Sequence, residues 1–170
     1  MLAYRKLDTQ SDHYVGATTT RVSNRRESLL RVHKLICPGY LDCLRVLTTV
    51  GEPSQKAFND QFDFVKAQSG TYYILVICDS TSRVVGTGAV VVERKFIHNM
   101  GLVGHIEDIA VDKNQQGKKL GLRIISALDY LAEKVGCYKC ILDCSEANEG
   151  FYVKCGFKRA GLEMAHYYGK

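Results

Sequence analysis

The stretch Gly104–Val135, GHIEDIAVDKNQQGKKLGLRIISALDYLAEKV, decides how the rest of the chain is read. Its opening, up to Val111, has the apolar and β-branched content of a strand. Gln116-Gly117-Lys118-Lys119-Leu120-Gly121 reads as a turn. Beyond it Leu120, Ile124, Leu128, Leu131 and Val135 recur at helical spacing. Lys118, Arg123, Glu133 and Lys134 lie elsewhere on the cylinder, and Gly136 is placed to end the helix. A strand that feeds a glycine-bearing turn at a helix N-terminus suits an anion. Free N–H groups point outward there, and the helix dipole adds positive potential. Two adjacent carboxylates, Glu107 and Asp108, stand just before the turn. The expected arrangement is a turn that holds a cofactor phosphate and a strand that presents a substrate. The turn lacks the GxxxxGK(S/T) frame of a P-loop and the GxGxxG frame of a dinucleotide fold.

Downstream, Tyr138–Cys144 reads as an apolar strand, Asn148–Cys155 as a short helix closed by Gly156, and Phe157–Tyr168 as a last strand. Upstream, the strand begins at Leu102 after a turn at His98–Gly101. Val84–Ile97 is a second long strand, in which Gly86 and Gly88 mark a bend or close packing. A turn at Asp79–Arg83 joins it to a strand over Thr71–Cys78. Tyr40–Val50 reads as a helix with Leu41, Leu44 and Leu47 on one face. Pro53-Ser54 opens another helix, which groups Ala57, Phe58, Phe62 and Val65 and stops near Gly70. Ser28–Leu35 is a plausible first strand. Residues 1–27 are polar, with no period, and read as an extension; residues 28–170 read as one α/β or α+β domain with a mixed sheet.

The 170 residues suit a single core. Seven Lys and Arg among residues 1–35 face only Asp8, Asp12 and Glu27, so this segment holds most of the net charge of +5. No aromatic or basic block reinforces a nucleic-acid reading, and a solvated or partner-packed arm is expected instead. No stretch reaches the ~20 apolar residues of a membrane span, and the N-terminus has no signal-type apolar core. A cytoplasmic protein is the expectation. Seven cysteines without an export signal argue for reduced thiols rather than a disulfide framework. Cys137-x-x-Cys140 has no second CxxC or close His pair to complete a zinc site, so no metal is expected.

The turn, taken with its surroundings, resembles the acetyl-CoA-binding signature of the Gcn5-related N-acetyltransferases, Gln/Arg-x-x-Gly-x-Gly/Ala. Gln116, Leu120 and Gly121 match, Gly117 fits a common variant, and Lys119 replaces the central glycine. Five further blocks occur in family order: LTTVG at Leu47–Gly51, ERKFIH at Glu93–His98, GHIEDIAV at Gly104–Val111, GCYKCILDC at Gly136–Cys144, and NEGFYVKCGF at Asn148–Phe157. Together they resemble the glucosamine-6-phosphate branch of that superfamily over about residues 40–166. The resemblance implies a mostly antiparallel twisted sheet with splayed central strands. It also implies acetyl transfer from acetyl-CoA to the 2-amine of glucosamine 6-phosphate in a ternary complex, a step toward UDP-N-acetylglucosamine, and a homodimer with shared sites.

Carried over residue by residue, the resemblance makes Tyr152 the donor to the departing thiolate, and Asp143 the group that orients the sugar amine. Asp143 is expected mid-strand, where a buried carboxylate needs a partner. A family bulge near Glu107 and Asp108 would free N–H groups of Ile109, Ala110 and Val111 for the acetyl carbonyl and pantetheine. Gly117, Lys118, Lys119, Leu120, Gly121 and Leu122, with Asn148, Glu149 and Gly150, would hold CoA. Thr48, Lys95, Phe96, Ile97, His98, Glu107 and Asp108 would contact the sugar phosphate, and Tyr138 and Lys139 would reach across a dimer interface. Cys144 and Cys155 bracket this region. The family's phosphate-binding arginine near the C-terminus has no match at Tyr167 or its neighbours, where residues 159–170 offer only Arg159 and Lys170. Two other readings compete: acetylation of a protein or polyamine amine, and a non-catalytic CoA-binding module.

Overall fold

The computed structural model describes residues 28–30 and 38–168, with the backbone alone at 28–30. The extension at 1–27 lies outside them, as does most of the expected first strand; only β1 (Ser28–Leu30) is described. The long strands are β2 (Tyr72–Cys78), β3 (Val84–Arg94) and β4 (Leu102–Val111), and β5 (Cys137–Ile141) is short. They form one sheet in sequence order, antiparallel from β1 to β4 and parallel between β4 and β5. The parallel step is possible because α4 (Leu120–Lys134) makes the crossover.

α4 covers one face of the sheet. Its Leu120, Ile124, Ile125, Ala127, Leu128 and Ala132 are buried against Tyr73, Leu75, Ile77, Val85, Val90, Val92 and Ile106. The glycines on β3 are there for this contact. A Cβ on Gly88 would lie 2.4 Å from Ile109 Cδ1 and 2.8 Å from Ile124 Cγ2. The opposite face is covered by α1 (Tyr40–Leu44). Cys43 is buried there with Val76, Cys78, Val84 and Ala110, flanked by Tyr40, Leu44, Phe62 and Ile74. Phe62 comes from α2 (Gln55–Ala67), whose N-cap Ser54 accepts a hydrogen bond from Ala57 N–H.

Four expectations change. The first helix stops at Leu44, because the next amides bond three residues back, Val46 to Cys43 and Leu47 to Leu44. Its inward side is Tyr40, Cys43 and Leu44, and Leu47 is half exposed. β3 ends at Arg94 rather than Ile97. The short α3 (Ile97–Met100) that follows contains His98, Asn99 and Met100 at positive φ, a geometry no strand can hold. β5 ends at Ile141 rather than Cys144. Residues Phe157–Tyr168 form no strand, because β5 is the sheet edge and no described strand lies beside them. By contrast, β4 begins and ends where the pattern places it, and α4 starts at the turn.

Candidate acetyl-transfer cleft

Two irregularities open the sheet in one place. The β4–β5 ladder runs only from Leu102–Cys137 to His105–Ile141, so from Ile106 onward β4 has β3 on one side and no described strand on the other. On the β3 side, Thr87 pairs with Ala110 but Ala89 pairs with Glu107. Asp108 and Ile109 therefore both oppose Gly88, a bulge, and Asp108 takes the left-handed conformation at φ 55. The extra residue shifts the phase of the strand. Ile106 faces α4 before the bulge, and Ile109 and Val111 do so after it, while Ala110 turns to the α1 face. Glu107 and Asp108 are left exposed at the opening.

The turn before α4 lies at the end of this strand. Gly117 and Lys119 take positive φ, 77 and 61. Lys119 is the N-cap of α4, and no side chain caps the helix, so its first N–H groups are available to a ligand. Lys119 thus holds a left-handed conformation that glycine adopts at least cost. Lys118 Nζ bonds Gln115 Oε1, and Gln116 Nε2 reaches Val111 O at 3.4 Å. Leu120 is buried, Leu122 half-buried, and a Cβ on Gly121 would meet the Phe151 ring at 3.2 Å. That contact seats α5 (Glu146–Lys154) beside the N-terminus of α4.

Tyr152 is half-buried on α5 and packs against the α4-side core. Burial first, then the nearby Cys144 and Cys155, push its phenol above the usual tyrosine range. It therefore keeps its proton at neutral pH. Asp143 is not in a buried strand: it lies two residues past β5 and is exposed, so no burial forces a partner on it. Burial first, then the charge of Asp108 and that of Asp143, holds the Glu107 carboxyl above the ordinary range. Glu107 thus lies within electrostatic reach of Asp108 on β4 and of Asp143 beyond β5.

The other expected contacts divide. Thr48 is exposed in the turns after α1. Lys95 is paired with Glu93 at 2.5 Å, and the other Glu93 oxygen meets His105 Nε2 at 2.9 Å. Phe96 and Ile97 are exposed, at 90% and 62%. The His98 ring lies 4.2 Å from that of Tyr138, and Lys139 Nζ stands 5.8 Å over Tyr138. Asn148 and Gly150 are exposed in the first turns of α5, whereas Glu149 is held by Arg159 through two bonds of 3.1 and 2.7 Å. Arg159, the one arginine after Phe157, is thus already paired.

The acetyltransferase (GNAT) family matches residues 35–157. The chain belongs to the GNAT family of acetyltransferases. It is 49% identical over 125 residues to glucosamine 6-phosphate N-acetyltransferase of Candida albicans, spanning 74% of this chain and 84% of that one. It is 47% identical over 130 residues to the Dictyostelium discoideum enzyme of that name, spanning 76% and 82%. The crystal structure of the Arabidopsis thaliana glucosamine-6-phosphate N-acetyltransferase superposes with a TM-score of 0.79 at 34% identity, covering 86% of this chain and 99% of that one.

Several residues of this GNAT domain that line or brace the cleft escaped the sequence reading. Tyr40 on α1 lies beside Thr87, the buried threonine of β3 whose hydroxyl donates to Leu75 O at 3.0 Å. Burial, helped by the Asp108 charge, pushes the Tyr40 phenol up to about 12. The Cys43 thiol donates to Ala110 O at 3.6 Å, and burial pushes it to about 11. The signal for Thr87 was a hydroxyl in an otherwise apolar strand, and it says that a partner is needed without saying which.

Proposed function

We propose that the protein moves the acetyl group of acetyl-CoA to the 2-amine of glucosamine 6-phosphate, giving N-acetylglucosamine 6-phosphate and CoA. The observation that carries the choice of substrate is the 49% identity to a relative of that name across most of both chains. The cleft supports the chemistry. The uncapped α4 turn suits the CoA pyrophosphate, and the open edge of β4 beyond His105 suits the extended pantetheine.

The amine nitrogen forms a bond to the thioester carbon, and the C–S bond breaks with its electrons leaving on sulfur. Three tasks fall to the chain. Glu107, Asp108 and Asp143 gather negative charge at the opening, which attracts and aims the amino group and takes up the proton that its nitrogen loses on attack. Backbone N–H groups at Ile109–Val111 stabilise the oxyanion. Tyr152, held in its protonated form by burial, supplies a proton to the departing thiolate. His98, Lys95 and Lys139 supply the basic rim for the sugar phosphate. Lys95, paired with Glu93, presents its remaining N–H donors to that phosphate. With Arg159 paired to Glu149, phosphate recognition rests on this rim rather than on a C-terminal arginine.

The reading extends to a homodimer. β5 is a sheet edge with Tyr138 exposed on it, and Leu162, Met164, Tyr167 and Tyr168 are 85–95% exposed after α5. Apolar side chains in such a row favour a protein partner over water. Among the described residues no helix is long and apolar enough to cross a membrane.

Thiol release from acetyl-CoA tests the substrate. Glucosamine 6-phosphate should turn over far faster than free glucosamine or a lysine peptide. Equal rates with the unphosphorylated sugar would sink the reading, and a preference for the peptide would favour a protein acetyltransferase.

A further inference from the structure

One face of β3 and β4 carries a row of polar groups inside an apolar sheet. Glu93 pairs across with Val103, Val91 with His105 and Ala89 with Glu107, so Glu93, His105 and Glu107 share the face turned away from α4. His105 is the middle member. Its Nε2 is fixed by Glu93 Oε2 at 2.9 Å, and the other oxygen of Glu93 is held by Lys95. The ring therefore cannot swing away from the strand. Its neighbour two residues on is Glu107, at the cleft opening. The groups that face Glu107 are Asp108 on β4, Asp143 beyond β5 and Glu163 in the C-terminal segment, all of which disfavour its ionised form. His105 acts on it in the opposite sense.

We propose that His105 is a positioning residue for the acceptor site, clamped by Glu93 and standing beside Glu107 as its counter-charge. Burial and the three acidic neighbours hold the Glu107 carboxyl above its ordinary range, and His105 acts in the opposite sense. Glu93 acts through His105, not on Glu107 directly. That distinction has a sign. Removing the Glu93 charge by Coulomb's law alone would make Glu107 easier to ionise. Removing it as the clamp of His105 makes Glu107 harder to ionise.

The assignment of a role in acceptor binding rests on the proposed activity, but the coupling does not, so the two are measured separately. Carbon-detected titration of the glutamate carboxyl groups, with the Glu107 signal identified by its loss in Glu107→Gln, reads the coupling in the full chain without substrate. His105→Gln should move the Glu107 midpoint to higher pH by roughly half a unit or more. Glu93→Gln should move it the same way, and the double variant should match His105→Gln alone. A midpoint that stays put in His105→Gln, or falls in Glu93→Gln, would overturn the proposal. In turnover, both variants should lose kcat/KM for the sugar phosphate as pH falls through the Glu107 midpoint, up to roughly threefold for half a unit, and match wild type toward pH 8.5, with thermal midpoints near wild type. A uniform loss at every pH, as a merely structural clip would give, also overturns it. Failure of wild type to use the sugar phosphate while the titration behaves as described would break the substrate assignment and leave the coupling standing.

Discussion

The sheet has an inner and an outer half that are built differently. The inner half, β2 to β4 under α4, holds Ile124, Ile125, Leu128 and Val90 at 0% exposure. The outer half, β5, α5 and residues 158–168, contains no fully buried side chain. Yet Asp143, Tyr152, Tyr138 and Lys139 all belong to the outer half. The difference separates two jobs. Dense packing on one side fixes the bulge and the α4 turn in space. The groups proposed for the reaction then sit where water and substrate can reach them, and where packing constrains them least.

Substitutions should therefore divide by half, and the largest effects come first. Tyr152→Phe removes one hydroxyl from a half-buried site; turnover should fall roughly 100-fold while the thermal midpoint stays nearly unchanged. Full activity in steady-state thiol release would end its assigned role. Leu128→Ala, at the centre of the inner half, should cost about 3 kcal/mol in urea unfolding. A loss below ~1 kcal/mol would mean that the α4 contact is not where the stability lies.

Lys119→Gly relieves a left-handed residue at the N-cap of α4 and should raise stability by about 1 kcal/mol. It also removes a charge from the turn. Its KM for acetyl-CoA should thus rise and lose part of its salt dependence, and no change in either would separate Lys119 from the phosphate cradle. Glu107→Gln should give a small gain in stability whose sign follows from linkage. The folded-state pKa of Glu107 lies above its unfolded value, so its contribution favours folding when protonated and is lost as pH rises through the folded midpoint. The variant should accordingly exceed wild type in thermal midpoint near pH 7 and match it near pH 3, while losing activity. A gain that persists at pH 3 would assign the effect to something other than ionisation.

The legibility of the sequence follows the same division. β4 and α4 could be bounded from the chain alone, since each has an apolar face buried against one large surface, and burial imposes a period of 2 or 3.6. In the first helix leucine spacing favours Leu41, Leu44 and Leu47, whereas packing selects Tyr40, Cys43 and Leu44. The last strand was misjudged because alternation in Phe157–Tyr168 describes a segment able to pair, and pairing needs a neighbour that β5 does not provide within these residues. The Glu93–His105 bridge left no local mark, its members being twelve residues apart.

By itself, then, the sequence determined the class of fold, the strand–turn–helix at Gly104–Val135 and the residue types gathered around it. These depend on contacts within one strand or helix, which periodicity and turn chemistry record. The tertiary structure decided what the turn and strand open onto. The bulge at Asp108 exists only in the register of β4 against Gly88, and the opening exists only because β5 stops at Ile141 while β4 continues. Glu107 is held above its ordinary range by burial, then by Asp108 and by Asp143, the last brought near by the α4 crossover. Register, splay and charge proximity are relations between segments far apart in the chain, and the energy that sets them comes from burial on α4 rather than from any residue of the site.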